Sequence, residues 1–512
     1  MKTFIDLYHK SIAGAISGWD RIRFRGTIRW LANASGMRTY LSTRGLLLKE
    51  FKPWAEKITA KVRAHCDEQA RRLGIPMIYL RSGGVDKEAL ARKIMNERGV
   101  STGDVCMLSV VEPCQAPVIR GYEGKLHLEM QPRKCVWIYH YWNDERFGFG
   151  HLRLQTWLPL SVSVCLNGRH WLERSLLREG IGYVKDGNCF VQLSDYARAQ
   201  ELLDEQQKSA WPEMLEGFLN RLCPGLRQII GERPLEYYWS ADETEWATDL
   251  LWREPEQLDR LFPKLARYGL LTAQSPTVMR FLGRSLKGPR PNEVISHLQS
   301  RYEGLCLKHW VNHNSVKMYN KAGNVLRVET TINQTREFKV YRCAHDDPSQ
   351  PATWQKMRKG VSDLNRRAQI SQASNERYLD HLAAADSSES LKETLDDLCR
   401  RREKDGRGFR AINPWNPEDF RSLEFLARGE VSLNGFRNRD LREALYPNHS
   451  ASEAHRLSGC VTRRLRLLRA HGLIKKAPRT HRYLLTAKGH KIVAALLAAS
   501  AASTEQLMKS AA

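Results

Sequence analysis

Apolar positions in the first part of the chain recur at helical spacing and then as short runs. Trp54, Ile58, Val62, Cys66 and Leu73 predict one amphipathic helix over 51–73. The apolar runs 77–80 and 105–111 predict buried strands, with a helix over 86–98 between them. From 134 to 167 the pattern turns to β-branched and aromatic runs, broken by Asn143-Asp144, the 148–150 glycine turn, Pro159 and Asn167-Gly168. Helices resume over 196–222. Residues 246–283 read as largely helical, and helical spacing puts Asp242, Glu245 and Asp249 on one face. Residues 305–342 carry the most regular strand pattern of the chain. A basic helical stretch, 356–382, and a small polar linker, 383–390, follow.

Within 305–333 the alternation predicts three antiparallel strands, 305–311, 316–321 and 325–332, with turns at 312–315 and 322–324. One face of the second and third strands is apolar: Val316, Met318, Leu326, Val328 and Ile332. The other face carries Lys317, Tyr319, Lys321, Arg327 and Glu329, and the first strand adds Lys308 and Trp310. A three-residue turn pairs Tyr319 with Arg327 and Lys317 with Glu329. Aromatic rings among cations suit base stacking combined with phosphate contact. The strands "KMYNK" and "LRVE" resemble a hairpin of rolling-circle replication initiators. That resemblance implies a tyrosine nucleophile at Tyr319, with Asn320, Lys321, Arg327 and Glu329 beside it, and a metal held by paired histidines. The histidine pair has no counterpart here; the nearest variant is His127-Leu128-Glu129.

The last hundred residues predict helices over 416–428, 439–446 and 453–471, the third ended by Gly472. In the third, Leu457, Val461, Leu465 and Leu468 share one face, with Arg463 and Arg466 on the other. A short hairpin follows, with Lys475 and Lys476 in its first strand, Arg479 in its turn and Arg482 in its second strand. A final helix opens near 486–489. Between Arg456 and Lys491 there are eleven Lys or Arg and no acid. This order, with the "LRLLRAHGLIKK" and "LLTAKG" runs, resembles the winged-helix domain of MarR-like DNA-binding regulators. The resemblance implies that the third helix enters the major groove with Arg463 and Arg466 at base edges. The hairpin would then touch backbone or minor groove, with Lys476, Arg479 and Arg482 at phosphates and Lys475 a further nucleic-acid-binding candidate.

Charge strengthens that expectation. The 512 residues hold 81 Lys or Arg against 57 Asp or Glu, a net charge of +24, which attracts polyanions. Eleven cysteines without any C-x-x-C spacing fit reduced thiols better than disulfides or a zinc site. No run approaches the roughly 18 apolar residues of a membrane span, and no secretory signal pattern is visible. The expected setting is cytoplasmic, without membrane partners. P-loop, G-x-S-x-G and H-E-x-x-H motifs are missing.

The expected architecture is α+β and multidomain: an α/β unit over 1–122, a central α+β unit over 123–345 with antiparallel sheets and the basic hairpin, a basic helical segment and linker over 346–412, and a winged helix-turn-helix over 413–512. The expected function is nucleic-acid binding, duplex or single-stranded DNA first, in a mobile-element or replication setting. One alternative is a nicking enzyme using Mg²⁺ or Mn²⁺ with Tyr319, Glu329, Asp249 and Glu245, and Glu112 as a further oxygen ligand. The other is recognition of structured RNA by tryptophan-bearing sheets.

Overall fold

Two long strands run side by side through the middle of the molecule, and the rest of one large sheet grows outward from them. The computed structural model describes residues 1–503 apart from 231–234, 274, 284–293, 302–303, 344–348, 387–390, 429–430, 432–434, 451 and 478–479. In chain order the strands are β1 (Ile12–Ile28), β2 (Met77–Leu80), β3 (Gly103–Tyr122), β4 (Lys125–Asp144), β5 (Gly148–Gln155) and β6 (Val162–Asn167). They continue with β7 (Tyr183–Asp186), β8 (Cys189–Leu193), β9 (Tyr237–Trp252), β10 (Val294–Arg301), β11 (Gly304–Val311), β12 (Asn314–Lys321) and β13 (Val325–Ile332). Eleven of these form one sheet in the order β10-β11-β12-β13-β9-β1-β6-β5-β4-β3-β2, antiparallel except for the β2–β3 pair. Among the described residues, four small two-stranded sheets accompany it: β7–β8, β14 (Lys339–Arg342) with β15 (Thr353–Lys356), β16 (Arg402–Lys404) with β17 (Arg407–Phe409), and β18 (Ile474–Lys476) with β19 (Tyr483–Leu485).

The chain is thus a mixed α/β protein, with different boundaries from those expected. The division at 122/123 falls in the turn of the β3–β4 hairpin, inside a single sheet. The acidic segment expected to be helical is instead β9, paired with β1 on one side and β13 on the other. Its Trp, Thr and Leu side chains fill both sheet faces, and the helix begins only at Pro255, where proline suits the first turn. Asp242, Glu245 and Asp249 therefore follow strand alternation, not a helix face.

Helices cover both faces. The helix Leu364–Leu382 lies on β13 and β9, so the expected basic helical stretch belongs to the sheet body. The helices Gly168–Glu179 and Tyr196–Gln207 lie on β1. A separate core joins Leu395, Leu398 and Ile412 to the helices Pro417–Leu426, Asn438–Leu445, Ala454–Ala470 and Ala487–Ala501 and to the β18–β19 hairpin. This C-terminal unit begins near 391, about twenty residues before the boundary expected at 413. Of the expected linker, 387–390 lies outside the described residues. No helix among the described residues is long and apolar enough to cross a membrane.

Candidate functional site

The sequence places Lys317, Tyr319, Lys321, Arg327 and Glu329 on one face of a hairpin, and the structure pairs Tyr319 with Arg327 and Lys317 with Glu329. The first turn is tighter than expected: Val311 pairs with Asn314 and Lys308 with Lys317, a register two residues shorter that keeps Lys308 and Trp310 on the charged face. What differs is the surroundings. The β7–β8 hairpin folds over this face: the Asn188 side chain accepts a hydrogen bond from Lys321 and its carbonyl accepts one from Arg327. Lys317, Tyr319 and Arg327 are 7%, 4% and 1% exposed. An open nucleic-acid surface of Lys317, Tyr319, Lys321 and Arg327 is therefore not what the fold presents, because a segment more than 130 residues away in sequence covers it. Lys308, half-buried, lies over the half-buried ring of Trp310 at 4.2 Å. The Trp19, Trp142 and Trp246 side chains of the sheet are core residues, so they offer no stacking platform either.

Inside this layer the charges form two groups, joined by Arg327, whose Nη1 also reaches Asp20 at 3.4 Å. Arg327 grips Asp249 through Nε (2.6 Å) and Nη2 (3.0 Å), and Arg169 adds a contact of 2.9 Å to the same carboxylate. Burial works against the Asp249 carboxylate, but the two guanidinium groups outweigh it and hold it below the usual range. Arg169 reaches Asp249 because its helix starts against the β1 backbone at Gly168, where a Cβ would strike the Trp19 carbonyl. Asp249 is saturated by arginines and leaves the metal-ligand set.

The second group is Asp20, Glu245 and Glu329. One carboxylate oxygen from each lies within 4.8 Å of the others. Glu329 and Glu245 come from adjacent strands, β13 and β9. Asp20 is the extra residue of a β-bulge: Trp19 pairs with Trp246 and Arg21 with Glu245, so β1 has one residue more than β9 there. Bulges re-aim side chains and recur beside functional sites. Asn188 donates to both Asp20 oxygens at 3.0 Å. Lys317 sits 2.5 Å from Glu329 and 3.5 Å from Glu245, and Arg21 reaches Glu245 at 3.2 Å from the solvent side. Burial, partly offset by Lys317 and reinforced by Glu245 and Asp20, pushes the Glu329 carboxyl up to about 7. Burial also opposes the Lys317 charge, but Glu329 and Glu245 outweigh it and hold the ammonium protonated. Three carboxylate oxygens this close are a donor set for a hard divalent cation such as Mg²⁺ or Mn²⁺.

Tyr319 adjoins this group and is buried. Burial, with Glu329 next, raises its phenol well above the ordinary value, and the side chain has almost no exposed surface. Glu112 lies elsewhere, bonded to Tyr139 and Lys87. His309 is buried between Ser296 and Tyr378. The run 20–26 lies within the central strand β1, and its exposed Arg21, Arg23 and Arg25 pair with Glu243, Glu245 and Asp242 of β9.

The exposed cations of the expected nucleic-acid set lie in the C-terminal unit. On the helix Ala454–Ala470, Leu457, Val461, Leu465 and Leu468 are buried while Arg463 and Arg466 are exposed, as are Lys475 and Lys476 on β18. Asn438 donates to Thr462 (2.9 Å) and to the Ser458 carbonyl (3.0 Å), tying the preceding helix to this one. Arg464 is bound to Glu418 and Asp419. Arg482, just before β19, lies over the Tyr341 ring of β14 at 4.2 Å. Arg479 lies outside the described residues.

Sequence reasoning left Asp20 out of the carboxylate set. Its signal is a phase shift: buried Trp19 is followed by buried Ile22 and Phe24, an odd-to-even switch that marks a bulge. Arg169 and Asn188 carry no comparable signal. No family model, curated protein or solved structure matches this chain.

Proposed function

We propose that this protein binds duplex DNA through a winged helix-turn-helix unit at its C-terminus, in the cytoplasm, as part of a mobile-element or replication system. The observation that carries the reading is the helix Ala454–Ala470. It buries a leucine stripe, presents Arg463 and Arg466 outward, and lies in a stretch of eleven cations without an acid. A solvated helix normally mixes signs, whereas a one-signed face suits phosphates. Eleven free cysteines are in keeping with a reducing compartment. On a specific site, Arg463→Ala and Arg466→Ala should each weaken binding by about 1–3 kcal/mol. Unchanged affinity in both variants would contradict the assignment.

A second reading, metal-dependent nicking of DNA, is favoured by the approach of Asp20, Glu245 and Glu329 within 4.8 Å. Those three residues would hold Mg²⁺ or Mn²⁺. Supercoiled plasmid incubated with Mn²⁺ should then relax, and Glu245→Gln should lose the activity. Intact plasmid with the wild-type chain would remove this reading.

A further inference from the structure

The helix Ala454–Ala470 faces a second structure that the winged-helix pattern does not contain. The β16–β17 hairpin stands opposite it across a cleft of about 580 Å³, lined among others by Arg407, Phe409, Arg410, Tyr446, Arg463 and Arg466. The hairpin is closed by Asp405 and Gly406, both at positive φ (55° and 68°), the two-residue turn that suits strand twist. Its register sets Lys404 directly opposite Arg407, and both are exposed. Two like charges facing each other across a ladder are destabilising. Glu403, the nearest carboxylate in the strands, points to the other face. Lys404 reaches the Arg469 carbonyl at 3.4 Å, which turns this face toward the helix.

The acids of the cleft are already engaged. Arg410 and Arg464 share Asp419, and Arg464 also holds Glu418. Among the described residues no carboxylate pairs with Arg407, Arg463 or Arg466, so the cleft keeps uncompensated positive charge on both walls. Two other parts of the unit face the body: the helix Ala487–Ala501 packs on the body helices Ser275–Phe281 and Leu364–Leu382, and Arg482, just before β19, packs on Tyr341.

We infer that the β16–β17 hairpin is the backbone clamp of this DNA-binding unit. A sugar–phosphate strand bordering the groove read by the 454–470 helix enters the cleft and is held by Lys404 and Arg407. Arg482, packed on Tyr341, does not serve this role. The inference rests on the reading that this helix meets duplex DNA.

The test is fluorescence anisotropy of a labelled mixed-sequence duplex with the full-length chain and its variants Arg407→Glu, Lys404→Ala, the double change Arg463→Ala with Arg466→Ala, and Arg482→Ala. Lys404 and Arg407 are exposed, so thermal melting should match wild type. Arg407→Glu should weaken binding on the order of tenfold for every sequence, and each lost phosphate contact should lower the salt slope by about 1. Arg482→Ala should leave the slope unchanged. If Arg407→Glu and Lys404→Ala bind like wild type while the double variant is weakened, the clamp is wrong and the helix reading stands. If wild type fails to bind the duplex, or binds only single strands, both are overturned.

Discussion

Glu329 shares a single ammonium, that of Lys317, with Glu245 and lies within 4.8 Å of Asp20 on the covered face of the sheet. Its carboxyl moves from an ordinary 4.5 to about 7, first because it is buried and then because two carboxylates adjoin it. Between those values the folded chain holds a proton that the unfolded chain has released. Stability therefore falls as pH rises across that window, by up to about 3 kcal/mol from this group. Denaturant unfolding at pH 5 and pH 8 should show the decline in wild type and a shallower one in Glu329→Gln. Parallel declines would mean that Glu329 is ionised throughout. Asp249 behaves in the opposite way: two arginines fix its charge, so it acts as the anchor of Arg327 and Arg169.

At the level of elements, alternation was a good guide to pairing and a poor guide to burial. The Tyr319–Arg327 and Lys317–Glu329 pairs follow from side-chain period and turn length, and both are present. That their face lies inside does not follow, because the β7–β8 hairpin that covers it approaches through tertiary packing alone. Strand β9 misled for a different reason: Asp242, Glu245 and Asp249 happen to recur at three and four residues, so the acids mimic a helical stripe within a strand buried on both faces. The extent of the C-terminal unit was hidden in the same way. Leu395, Leu398 and Ile412 precede the expected boundary yet are buried in its core. A fragment of 391–503 should therefore unfold cooperatively, whereas 413–503 should be less stable by about 5 kcal/mol, given about 1.5–3 kcal/mol for each large apolar side chain. Equal denaturant midpoints would place the boundary back at 413.

Over the whole molecule, a net charge of +24 is distributed unevenly. In the sheet body the buried cations Lys317, Arg327 and Arg169 are matched by carboxylates, and Arg21, Arg23 and Arg25 are matched along β9. Among the described residues, the C-terminal unit keeps exposed cations without carboxylate partners at Arg407, Arg463 and Arg466. Binding driven by that excess must release counterions, with a log–log dependence of affinity on salt of about −0.9 for each neutralised phosphate. The most direct measurement is the affinity of the full-length chain for a labelled duplex across a series of salt concentrations. A slope of several units, reduced in the Arg463→Ala, Arg466→Ala double variant, is the predicted result. A flat response, or one that the double substitution leaves unchanged, would contradict DNA binding through the C-terminal unit.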